Sequence, residues 1–301
     1  MKQTRRDFLH STTGLMGYAF AKPLVDIYKE KPKLSFSTLG CPKWTFNQII
    51  KCAVDNGYQG IELRGINGQM DLPKCPEFSP AQIQDTLKQI QDNKLEIVNL
   101  GSSAHLHHKD PSKRKMHLDN AKRFIDLAQM INCPFIRVFP DDLPKDQKDE
   151  ETLEFIITAL QELGDYTKGS KVTVLLESHG KVVYSDMLQH IMQTTNHPKV
   201  GLIWDYMNMW SITKEPPQMV YDKLKKYIKH AHIKDGKLTA AKPDYTLLGE
   251  GEMPLTEALN ALKNGGFKGY YSFEWEKVWH PEIQEPEIAL PHYTQAIKKY
   301  L

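Results

Sequence analysis

KVTVLLESHG, residues 171–180, is a short run of β-branched and leucine residues that ends on a carboxylate, Glu177. Such a run, bounded by glycine, proline or asparagine, reads as a buried strand. Toward the carboxyl terminus the pattern recurs as VGLIWD at 200–205, IKHAHI at 228–233 and GYYSFE at 269–274. Toward the amino terminus it recurs as FIRVF at 135–139, KLEIVNL at 94–100, QGIEL at 59–63 and LSFSTL at 34–39. Segments with helical spacing separate these runs: 46–56, 80–92, 112–131, 149–168, 184–195, 217–226, 254–264 and 284–300. Ser79-Pro80 and Pro111-Ser112 supply helix starts, and Gly57, Gly169 and Gly265-Gly266 fall where helices should stop.

Eight strands alternating with eight helices are the arithmetic of an α/β fold, the closed parallel (β/α)8 TIM barrel. A chain of 301 residues is an ordinary size for one such domain. A doubly wound open sheet would usually carry a phosphate-binding glycine loop after its first strand, and Thr38-Leu39-Gly40-Cys41-Pro42 is not one. The expected organisation is a single barrel over 34–301, a linker over 22–33 and an export segment over 1–21.

That segment, MKQTRRDFLHSTTGLMGYAFA, places Arg5-Arg6 before a weakly apolar run, Ser11 to Phe20, and then a small-x-small site at Ala19-Phe20-Ala21. The order matches a twin-arginine signal, so the expected location is the periplasm or cell surface. The formal charge is +2, from 39 basic and 37 acidic residues. The segment itself contributes three basic residues and one acidic residue, which leaves the remaining chain near neutrality. No clustered basic excess marks a nucleic-acid surface, and no apolar run is long enough to span a membrane. The four cysteines, Cys41, Cys52, Cys75 and Cys133, contain no C-x-x-C pair, which argues against a zinc ribbon or a disulfide scaffold.

In such a barrel the carboxyl ends of the strands form the active face. Four successive strands deliver metal-competent side chains there: Glu177, Asp205, His232 and Glu274. Closure would bring them to one point, where four polar groups need a partner. Three carboxylates and one imidazole suit a single divalent cation, Mn²⁺, Co²⁺ or Mg²⁺.

This series resembles that of the xylose isomerase-like barrel superfamily, in its sugar (phosphate) isomerase/epimerase branch. The resemblance runs from about Leu34 to the end of the chain. It is carried further by GIEL at 60–63, LLESHG at 175–180, HIKD at 232–235 and LLGEGEMP at 247–254. It implies that Glu177, Asp205, His232 and Glu274 bind the metal, and that Glu177 and Glu274 face opposite sides of the substrate carbon as proton carriers. It also implies a small-molecule sugar or glycoside as substrate and is compatible with a homo-oligomer. One departure stands out. Where epimerases of that branch often show D-x-x-H, Asp205-Tyr206-Met207-Asn208 puts Asn208 in place of the histidine, and asparagine cannot become cationic.

Further candidates line the same face. Glu62 and Arg64 end the second strand and would touch substrate or brace the metal ligands. His105 is expected to line the pocket, whereas His107 and His108 read as a solvated loop. Arg137, inside a strand, needs an anionic or polar partner, either a neighbouring carboxylate or the substrate. His179, Asn208 and Lys234 complete the substrate-binding set, Lys234 either meeting a substrate hydroxyl or holding a ligand carboxylate. Trp44, Trp210, Trp275 and Trp279 would either stack on sugar faces or pack locally. Gly249-Glu250-Gly251-Glu252 reads as a wall of the site.

The expected chemistry is proton abstraction α to the carbonyl of an unphosphorylated keto-sugar, with a metal-stabilised enediolate, as in an isomerase or epimerase. Elimination from a 3-keto-glycoside by a lyase or hydratase is the alternative. A metal-dependent phosphodiesterase would predict several metals and a basic groove. A non-catalytic sugar-binding barrel would predict a missing ligand.

Overall fold

The protein is described here from a computed structural model, in which residues 31–239 and 243–301 are placed. The segment expected to be an export signal lies outside the described residues. Seven parallel strands come first: β1 (Lys33–Ser37), β2 (Gly60–Leu63), β3 (Glu96–His105), β4 (Phe135–Phe139), β5 (Thr173–Glu177), β6 (Val200–Asp205) and β7 (Ile228–Ile233). An antiparallel hairpin follows, β8 (Asp235–Leu238) with β9 (Pro243–Thr246). The last barrel strand, β10 (Tyr270–Phe273), pairs in parallel with both β7 and β1 and closes the cylinder. Around it lie α1 (Phe46–Asp55), α2 (Ile83–Asp92), α3 (Pro111–Met130), α4 (Asp149–Tyr166), α5 (Ser185–Thr195), α6 (Tyr206–Thr213), α7 (Pro217–Leu224), α8 (Leu255–Asn264) and α9 (Pro286–Ala296).

The closed parallel barrel is the architecture that the strand–helix alternation predicts. The strands are short and buried on both faces, as parallel sheets covered by helices must be. Their outward side chains pack against a helix layer in one apolar core that includes Phe36, Ile61, Ile136, Leu176, Leu202 and Phe273. Caps set several boundaries. Thr45 and Gln48 form a reciprocal capping box at the start of α1, and Asp110 Oδ1 accepts from Lys113 N one residue ahead of the proline that opens α3.

Four details differ from expectation. Strand β1 begins at Lys33, one residue inside the expected linker. The second helix starts at Ile83 rather than at Pro80, because residues 80–82 form a turn whose last residue, Gln82, offers no side-chain cap. Helix α6 was not expected. It follows β6 without a loop because Asp205 caps it, its Oδ1 accepting from Asn208 N at 2.9 Å. The hairpin β8–β9 was not expected either, since each of its strands is only four residues long and largely polar. All four cysteines are buried free thiols. Among the described residues no helix is long and apolar enough to cross a membrane.

Candidate metal centre

Side chains alternate across a strand, so His230 and His232 on β7 both point into the barrel, and Lys234 continues the row just beyond the strand end. Register then sets their neighbours: His232 lies opposite Asp205 of β6 and Ser272 of β10. Glu177 ends β5, Asp205 ends β6, and Glu274 follows β10. One donor atom from each of Glu177, Asp205, His232 and Glu274 falls within 4.8 Å of the others, and all four residues are buried.

The imidazole is held from behind. His232 Nε2 lies 3.1 and 3.2 Å from the two Glu62 oxygens. The same carboxylate is 2.7 Å from His230 Nε2 and accepts from Ser272 Oγ at 3.0 Å. The other ring nitrogen, Nδ1, therefore faces the ligand carboxylates, at 3.3 Å from Glu177, 3.2 Å from Glu274 and 3.9 Å from Asp205. Burial pushes the Glu62 carboxyl up, but His232 and His230 more than offset this and hold it well below the usual carboxylate range. Burial likewise pushes the His232 ring down, and the carboxylates of Glu274, Glu62 and Glu177 hold it well above the usual histidine range. The centre is thus strongly attractive to positive charge.

Two atoms decide whether a cation fits. His232 Nδ1 is buried and makes no hydrogen bond, and Asp205 Oδ2, also buried, has only its ion pair with Lys234 Nζ at 2.7 Å. A buried polar atom without a hydrogen bond is costly. Both belong to the set of three carboxylates and one imidazole whose donor atoms converge. That donor set, with the ring nitrogen fixed by a carboxylate behind it, fits a divalent cation.

Around these four, the remaining expected residues fall into place unevenly. Of the two roles expected of Glu62, the geometry carries the bracing one: it is 1% exposed and both its oxygens are engaged, so contact with substrate is not available to it. Arg137 donates from Nη1 to Glu177 Oε2 and from Nη2 to the Ser102 carbonyl, with its guanidinium over the Phe139 ring. This is the carboxylate pairing expected as one of its two roles, and at 2% exposure it leaves little surface for substrate. Lys234, also buried, spans three carboxylates, Asp205, Glu274 and Glu276, each at 2.7 Å. The Asn208 side chain donates to the Ser178 carbonyl at 3.4 Å and is half-buried.

At the mouths of β3, β4 and β5, Asp141 joins two imidazoles. His105 Nδ1 lies 3.0 Å from one oxygen and His179 Nδ1 3.1 Å from the other. Those two rings hold the Asp141 carboxyl well below its usual range. The expectation of a solvated loop after β3 is corrected here. His107 is buried, and His108 is half-buried and stacks on His117 with ring centres 4.5 Å apart. Helix α3 runs back beneath this loop and brings His117, whose Nδ1 accepts from His105 N. The tryptophans divide: Trp275 is fully buried and donates to the Gln284 carbonyl, whereas Trp279 is exposed. Asp235 pins the 249–253 loop by accepting from Gly249 N and Gly251 N, so HIKD and LLGEGEMP act as one structural unit.

Sequence reasoning missed His230, Ser272, Glu276 and Asp141. His230 and Ser272 were legible in principle, because each sits two residues from His232 or Glu274 and points to the same side of its strand, whereas Glu276 lies beyond the end of β10, where that alternation no longer holds. Asp141 carried no comparable signal, since it lies in a loop whose path depends on β3 and β5.

A family model described as the xylose isomerase-like TIM barrel matches residues 50–294. A fructoselysine 3-epimerase from Shigella flexneri is 22% identical over 278 residues, covering 89% of this chain and 96% of that protein. An inosose dehydratase from Lacticaseibacillus casei is 26% identical over 288 residues, covering 85% and 89%. Among solved structures, the IOLI protein with a bound zinc atom superposes with a TM-score of 0.73 at 20% identity, covering 89% of this chain and 99% of that one. The match spans most of the barrel, and the chain belongs to the xylose isomerase-like TIM barrel family.

Proposed function

We propose that this protein is a divalent-metal-dependent enzyme that removes the proton α to the carbonyl of an unphosphorylated keto-sugar and returns it, as an isomerase or epimerase. The observation that carries the reading is the convergence of Glu177, Asp205, His232 and Glu274 at one buried point with the His232 ring fixed from behind. A proton α to a ketone is weakly acidic, so the site must stabilise developing negative charge on the carbonyl oxygen. A divalent cation held by these four residues would supply that stabilisation as a Lewis acid.

The chain supplies the proton carriers. Arg137 occupies Glu177 Oε2, so a proton on Glu177 goes to Oε1, the oxygen that stands 3.3 Å from His232 Nδ1. Lys234 occupies Glu274 Oε2, which leaves Oε1 of that residue. One carboxylate, ionised, takes the proton, and the other enters the cycle protonated and delivers its own proton to the intermediate, which inverts or shifts the stereocentre. Burial of both keeps bulk water from competing. An epimerase and a dehydratase among the relatives support sugar-modifying chemistry. The unphosphorylated substrate is supported by the export signal read in residues 1–21. A chain with Arg5 and Arg6 changed to lysine should then remain in the cytoplasm, and its unchanged export would contradict that signal.

A second reading is favoured by one observation. Asn208 stands where a histidine is common in the epimerases and is tied to a backbone carbonyl. Without that imidazole, β-elimination from a 3-keto-glycoside becomes the competing outcome of the same proton abstraction. Proton NMR in D₂O with metal-loaded protein, on ketoses and 3-keto-glucosides with and without EDTA, separates the outcomes. EDTA-sensitive deuterium uptake with a new epimer supports the first reading, and released aglycone supports the second. Absence of exchange on every ketone contradicts both.

A further inference from the structure

Arg64 is the residue after β2, on the same face as the four metal-site side chains, and the metal-site geometry leaves it without a task. It is 7% exposed. Nη2 donates to Ser103 Oγ at 2.9 Å, while Nη1 is buried with no hydrogen-bond partner. No carboxylate among the described residues comes within ion-pair distance of it, in contrast with Arg137, which holds Glu177. The two arginines lie side by side across Gly101, where a Cβ would sit 2.7 Å from Arg64 Cδ and 3.0 Å from Arg137 Nη2. Burial and the neighbouring Arg137 push the Arg64 guanidinium down to about 9, against the opposing pull of Glu177, Glu274 and Glu62.

Arg64 also walls a cavity of about 110 Å³, together with Thr38, Pro42, Met70 and Val278. The Thr38 hydroxyl is already spent, donating to the Gly65 carbonyl and accepting from Arg64 N and Gly65 N. Among the side chains that line this mainly apolar cavity, the polar capacity therefore rests on one guanidinium. A buried unpaired charge is stabilised only by an opposite charge with matching hydrogen bonds.

We propose that Arg64 receives a carboxylate of the substrate, so that the site takes a keto-sugar acid. A planar carboxylate matches the guanidinium fork with two parallel hydrogen bonds. A phosphate dianion would leave oxygens against the side chains of Met70, Pro42 and Val278, which carry no donors. The proposal deepens the keto-sugar reading and rests on it for the identity of the ketone.

The test is calorimetric binding of D-fructuronate, D-fructose and D-fructose 6-phosphate to the metal-loaded protein. The first two differ only in a terminal carboxylate against a hydroxymethyl group. Wild type should bind D-fructuronate on the order of ten- to a hundredfold more tightly than D-fructose. R64Q should reduce that ratio to near one. R64K keeps the charge without the fork and should give an intermediate ratio, which carries the test if R64Q does not fold. Equal affinity for the first two sugars in wild type, binding of neither, or a wild-type ratio in R64Q overturns the proposal. Tighter binding of D-fructose 6-phosphate than of D-fructuronate overturns the carboxylate assignment. Deuterium uptake measured on the same samples reports the enolisation reading separately. A carboxylate preference that depends on Arg64 without exchange would retain Arg64 and reject that reading.

Discussion

Glu62 lies 3.1 Å from His232 Nε2, on the far side of the ring from the Nδ1 that stands 3.3 Å from Glu177 and 3.2 Å from Glu274. The carboxylate behind the ring therefore sets which nitrogen the centre can use. Glu62→Gln keeps the shape but loses the charge, and it should weaken divalent-metal affinity by about 10–100-fold while leaving the barrel folded. Titration with Mn²⁺ or Zn²⁺ measures this, and unchanged affinity would remove Glu62 from the account.

Lys234 is the cation around which Asp205, Glu274 and Glu276 gather. Lys234→Met leaves three buried carboxylates facing one another and should destabilise the metal-free protein by about 3–5 kcal/mol. Added divalent ion should then raise its melting temperature more than it raises that of wild type. Equal melting temperatures for the two metal-free proteins would contradict this.

Asp141 and His179 make stability depend on pH in both directions. The Asp141 carboxyl is depressed by His105 and His179, so its contribution is present above its ordinary value of 3.8 and is lost as pH falls through the depressed one. Burial lowers the His179 ring, but Asp141 raises it further, above its ordinary value of 6.5. That contribution is complete below 6.5 and fades as pH rises through the raised value. Thermal melts across pH 3–9 should show Asp141→Asn losing most stability between these limits and declining less than wild type above pH 6.5. Parallel profiles would contradict the coupling.

Gly101 is small because two arginines need its space. Gly101→Ala places a Cβ against Arg64 Cδ and Arg137 Nη2 and should cost about 1–3 kcal/mol in chemical denaturation. An unaffected midpoint would show that both side chains yield freely.

The barrel was legible because each strand is a short apolar run and each helix carries its own period and stop signal. KVTVLLE and IKHAHI needed no tertiary information to be read. The four convergent side chains were legible for a related reason, since each lies at or just beyond a strand end that the fold brings to one face. Roles set by contact were not. Arg137 and Lys234 could be named as needing partners, yet which carboxylates they hold depends on strand register. Burial of the 106–108 loop depends on α3 returning beneath it, and helix α6 depends on Asp205 serving as both cap and site residue.

The central claim is that Glu177 and Glu274 carry the proton at a divalent-metal centre. Its most direct test is the rate of deuterium uptake α to the ketone in D₂O for wild type, E177Q and E274Q at matched metal content. The account predicts EDTA-sensitive exchange in wild type and a loss of roughly 10²–10⁴-fold in each variant. Exchange in metal-loaded E177Q and E274Q within a few-fold of wild type would contradict it.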